Sequence, residues 1–129
     1  MDPDKAEAIL REHVRLCSDL HDLFLEEGKI MRATGAPPDE AFLERKAGFL
    51  PVLGKGLELL QRINESPDEF PRSLQPLVKE CRSKIMKLMM LDRENERLLL
   101  KTTLPPRMKQ SYGKVAPGQL AKVYGKYGG

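Results

Sequence analysis

Three side chains able to bind transition metals are spaced four residues apart, His13, Cys17 and His21. With Cys81 they supply the ligand types of a zinc site. An α-helix turns by about 100° per residue, so eight residues accumulate a drift of about 80°, and the three cannot converge on one ion unless the helix bends. The competing arrangement packs Cys17 inside, with the histidines flanking the core and reaching partly to water. It is the favoured one, and neither a metal nor any other cofactor is expected. Cys17 and Cys81 each sit among apolar neighbours, the setting of reduced, buried thiols rather than of a disulfide framework.

Catalytic patterns are scarcer still. There is no Gly-rich phosphate loop, no Ser in a nucleophile-elbow context, and no Cys with a basic partner on a loop, where nucleophiles are normally presented. The paired acids fit helix architecture instead: Asp39-Glu40 opens a helix, where the dipole favours negative charge, and Glu26-Glu27 reads as a solvated face. No enzyme is expected.

The elements that hold these residues follow from composition and periodicity. The 129 residues suit one domain. They are 40% hydrophobic, 32% charged and only 5% aromatic, a balance that favours long helices over strands. The longest charge-free apolar stretch, Ala47 to Gly54, is far short of the ~20 residues of a spanning helix, so no membrane insertion is expected. The acidic start Met1-Asp2-Pro3-Asp4 lacks the basic and then apolar run of a signal peptide, and a cytoplasmic location follows as the expectation.

Apolar residues from Ala6 to Met31 recur at steps of three and four and predict a long amphipathic helix over 3–34. Asp2 serves as its N-cap, Pro3 as its first residue, and Gly35 with Pro37-Pro38 as its stop. A second helix is expected over 39–65, kinked or broken near Phe49 to Gly56 by Pro51 and two glycines. Ser66 and Glu69 have capping-box spacing for a short turn. A third helix is expected over 73–103, ended by Pro105-Pro106. The bundle 1–104 carries 17 bases against 19 acids, whereas residues 105–129 hold five bases and no acid. That tail, rich in Gly and Tyr, reads as flexible when free. Within it Tyr112-Gly113-Lys114 recurs as Tyr124-Gly125-Lys126.

The third helix is apolar on more sides than one neighbour can cover. Leu74, Leu77, Val78, Cys81, Ile85, Leu88 and Leu99 form its inward stripe. Met86, Met89 and Leu100 fall on one flank, Leu91 and Leu98 on the other, and Met90 nearly opposite. Either two sibling helices shield the flanks or something outside the chain covers them. Flexible methionines suit surfaces that adapt to partners. Covering five or six such side chains would contribute about 8 to 18 kcal/mol before association costs of ~4 to 15 kcal/mol. Asp92 and Asn95 share the sector of the inward stripe, as seam residues that fix register or as hydrogen-bonding groups for a ligand helix.

The run Leu91-Asp92-Arg93-Glu94-Asn95-Glu96-Arg97-Leu98-Leu99, two preceding amphipathic helices and a Gly/Tyr tail together resemble the flagellar type III export chaperones of the FlgN kind, with FliT-like chaperones a close second. Glu26-Glu27 near the end of the first helix, and Lys46 ahead of Phe49-Leu50 in the second, match the same pattern. The resemblance implies a cytoplasmic chaperone that binds the C-terminal helical segment of hook–filament junction proteins, prevents early assembly and escorts them to the export gate. By position it implies a client or gate contact for Tyr112.

These readings combine into an all-α, elongated, antiparallel three-helix bundle, coiled-coil-like, with a disordered basic C-terminal tail. The client surface is placed at Met86, Met89, Met90, Leu91, Asn95, Leu98 and Leu100. Two rivals remain: a helical dimerisation module whose basic tail binds nucleic acid, the less favoured partner, and a structural coiled-coil protein that associates with itself.

Overall fold

The computed structural model describes residues 2–102 together with Pro117 and Gly118. Three long helices, α1 (Pro3–Thr34), α2 (Glu40–Glu65) and α3 (Gln75–Leu100), account for most of them, with short 3-10 turns at Pro67–Glu69 and Arg72–Leu74. At ~1.5 Å per residue α1 alone is a rod of about 48 Å, which makes the bundle elongated.

Local chemistry sets the helix ends. The Asp2 carboxylate accepts from the Asp4 backbone N–H at 3.0 Å with Pro3 in the first turn, so two of the groups left unpaired at a helix start are dealt with at once. At the other end Gly35 adopts φ 66°, and its N–H donates to the Met31 carbonyl, a left-handed cap that costs glycine nothing sterically. Asp39 caps α2 by accepting from the Phe42 N–H at 2.9 Å. Ser66, by contrast, makes no side-chain cap, so the spacing to Glu69 yields a turn without a capping box.

Pro51 does not interrupt α2, which is continuous over 26 residues. Proline removes the hydrogen bond to the carbonyl four residues back, here Ala47. Both residues lie on the exposed side of the helix, where water can take the unpaired carbonyl. The expected break is therefore corrected.

The helices interlock with a heptad rhythm. One line of buried positions on α1 runs Ala6, Leu10, His13, Cys17, Leu20, Phe24, Glu27 and Met31, with Leu16, Leu23 and Gly28 buried beside it, and the line leading into and along α3 runs Leu74, Val78, Cys81, Ile85, Leu88, Asp92 and Asn95. Steps of four and three alternate throughout, an average of 3.5 that keeps one seam facing its neighbour. The Cys81 thiol donates to the Leu10 carbonyl at 3.5 Å, and the Asn95 amide donates to the Phe24 carbonyl at 2.8 Å. Each of these pairs is 71 residues apart in sequence, so α1 and α3 run parallel without slipping register. In α2 the order reverses: Lys46 near its start meets Glu27 near the end of α1, and Gly56 farther along meets His13. The topology is up-down-up, with α1 packed against both other helices. Among the described residues no helix is long and apolar enough to cross a membrane.

Candidate functional site

Two features of α3 and its neighbours stand out, a polar junction inside the bundle and an apolar and basic face outside it. At the junction the three helices contribute one residue each. Lys46 of α2 donates to both carboxylate oxygens of Glu27 of α1, at 3.0 and 2.9 Å, and Asn95 of α3 donates to Glu27 Oε1 at 3.2 Å. Glu27 and Asn95 have no exposed surface and Lys46 only 4%. The Lys46 ammonium also stands 5.0 Å from the centre of the Phe24 ring, a favourable contact for a desolvated cation. The reading of Glu27 as part of a solvated face is thus overturned. It occupies a heptad seam position, and a full hydrogen-bond set lets its charge stay there.

Asn95 is corrected as well: it is enclosed, so it cannot present hydrogen bonds to a ligand helix. Its Oδ1 has no hydrogen-bond partner among the described residues and faces Gly28, where an added Cβ would stand 2.7 Å away. Asp92 is likewise buried, and its carboxylate accepts from the Gly118 N–H at 2.7 Å. Gly118 has φ 96°, and a Cβ there would overlap the Glu96 carboxylate. Apart from this turn, the tail and Tyr112 lie outside the described residues.

The candidate metal ligands do not assemble. His13 is 1% exposed rather than flanking the core, because Gly56 leaves room for its ring on α2. Its Nε2 lies 3.6 Å from Cys17 Sγ, its Nδ1 has no hydrogen-bond partner among the described residues, and burial lowers its pKa to about 4. Burial likewise raises the thiols, Cys17 to about 12 and Cys81 to about 11, so neither supplies a thiolate near neutral pH. The groove lined by Cys17, Ser18, His21, Asp22, Lys84 and Lys87 therefore holds its cysteine as the neutral thiol. Among the described residues no three His, Cys, Asp or Glu side chains are grouped to hold a metal ion.

The outer face of α3 sorts the remaining surface residues. Met86, Met90 and Leu100 are 64%, 70% and 80% exposed. Met89 and Leu91 are half-buried against the core, and Leu98 is half-buried beside Gly28. On a helical wheel Met86, Met89, Met90 and Leu100 fall within roughly 100°, whereas Leu91 and Leu98 lie on the opposite flank. One ligand helix can reach the first group but not both. Sequence periodicity had located the excess of apolar side chains without telling which of them α1 would cover.

Compared with protein-family models, curated proteins and solved structures, the chain matches none.

Proposed function

We propose that this chain is a binding protein without catalytic activity, a cytoplasmic flagellar export chaperone of the FlgN kind. In this reading it captures the C-terminal helical segment of a hook–filament junction protein, prevents early assembly and delivers the client to the export gate. The observation that carries the reading is the exposure of Met86, Met90 and Leu100 on one sector of α3. Large apolar side chains grouped on a helix are suited to an amphipathic partner helix laid alongside. A second observation supports the resemblance itself: Glu27, Lys46 and Asn95, each named on grounds of sequence pattern, meet in one buried cluster.

The capture mechanism is passive. The client's apolar stripe covers the methionines, whose flexible thioethers adapt to its side chains, and the covered segment is withheld from its assembly partners. The test pairs the full-length chain with the C-terminal segment of a hook–filament junction protein in titration calorimetry. Met86→Ser with Met90→Ser should weaken binding at least ~10-fold, since both side chains are exposed and each buried methionine contributes about 1.5 to 3 kcal/mol. Thermal unfolding should stay within a few degrees of the parent. Unchanged affinity in the double variant would remove the surface, and no binding by the parent would remove the function.

A further inference from the structure

Three exposed apolar side chains give a client only marginal affinity by themselves. Met86, Met90 and Leu100 would contribute about 4 to 9 kcal/mol on burial, which association costs of ~4 to 15 kcal/mol largely offset. A complex at micromolar affinity needs about 8 kcal/mol net. The remainder must come from what surrounds the methionines, and that surrounding is basic. Arg82 lies one turn before Met86, and Arg93 and Arg97 follow Met90 at three and seven residues, all exposed and in the same sector of α3. Arg82 and Arg93 have no ion pair among the described residues, while Arg97 has only an exposed contact to Glu94 at 3.6 Å.

We infer that the outer face of α3 selects an acidic amphipathic helix, with apolar side chains over Met86 and Met90 and carboxylates one turn to either side over Arg82 and Arg93–Arg97. From Arg82 to Arg97 the stripe measures about 22 Å, four turns of a partner helix. This rests on the capture reading above and names the chemistry of the client. Charge decides among the occupants. A second copy laid face to face would set arginine against arginine. The chain's own tail, residues 105–129, has five bases and no acid, and its described turn at Pro117–Gly118 is held by Asp92, an acidic group, rather than by the arginines. Nucleic acid would satisfy the cations but leave the central methionine pair without an apolar partner. Acidic side chains on a partner helix satisfy both, and opposite charge also speeds encounter.

The experiment uses the full-length chain and two synthetic helical peptides with identical leucine stripes, one flanked by glutamates and the other by lysines, followed by fluorescence anisotropy. The glutamate peptide should bind at least ~10-fold more tightly at low salt, and the preference should shrink as the Debye length falls from ~10 Å at 0.1 M to ~3 Å at 1 M. Arg82→Glu with Arg93→Glu should reverse the preference without loss of helicity, because both residues are exposed. Equal binding of the two peptides would overturn the acidic-client inference and leave capture by the methionines standing. Failure of both peptides to bind would overturn the two together. Tighter binding of single-stranded or duplex DNA than of the glutamate peptide, lost in the arginine variant, would assign the face to nucleic acid instead.

Discussion

The Lys46 ammonium reaches both carboxylate oxygens of Glu27, at 3.0 and 2.9 Å, with 5% and 0% of the two side chains exposed. A pair so fully removed from water specifies arrangement more than it adds stability, because desolvation offsets most of the attraction. Lys46→Met should therefore cost ~3 to 5 kcal/mol by leaving the Glu27 charge buried without its ammonium. Glu27→Leu combined with Lys46→Met should recover most of that loss. Urea unfolding of the parent and the two variants checks this, and a single-variant cost below ~1 kcal/mol would show that water reaches the site.

Gly28 and Asn95 form a second lock. Alanine at position 28 gains up to ~1 kcal/mol of helix propensity over glycine, but its Cβ would lie 2.7 Å from Asn95 Oδ1. Asn95 is anchored to the Phe24 carbonyl at 2.8 Å and cannot yield cheaply. Gly28→Ala should destabilise the native chain by about 1 to 3 kcal/mol and become neutral or stabilising in an Asn95→Ala background. A double-mutant cycle measures that change of sign, and additive effects would refute the contact.

His13 gives the fold a pH dependence. Burial holds its pKa near 4 against an ordinary 6.5, so the unfolded chain takes up a proton at a higher pH than the native one does. Stability is full above pH ~6.5 and declines as pH falls toward 4, by about 2 kcal/mol between pH 7.5 and pH 5 from this residue alone. His13→Leu should flatten that part of the profile. Denaturant midpoints at closely spaced pH values report it, and an unchanged slope in the variant would place the effect elsewhere.

The enclosed and the exposed apolar residues of α3 lie on different sides of the helix. The inward stripe of Val78, Cys81, Ile85 and Leu88 is enclosed, and its assignment to the core followed from periodicity alone. The same wheel put Asp92 and Asn95 on that stripe and left open whether they served register or a ligand. Burial against α1 settles it for Asn95, since a wheel gives direction but not the distance to the next helix. Glu27, enclosed although one of two adjacent acids, shows the same limit. Adjacent acids near a helix end usually face water, and the signal to the contrary lay in its heptad position one step after Phe24.

By itself, the sequence determined the class of fold, the three helices, the caps at Asp2, Gly35 and Asp39, and the surplus of apolar side chains on the last helix. These are local properties, fixed by spacing and by each residue's own backbone preferences. Tertiary structure decided which polar residues are inside, that α2 passes through Pro51 unbroken, and which part of the surplus stays uncovered. Those outcomes depend on how closely two helices approach, at Gly28 and Gly56 above all, where a missing Cβ admits the side chain of a residue distant in the chain.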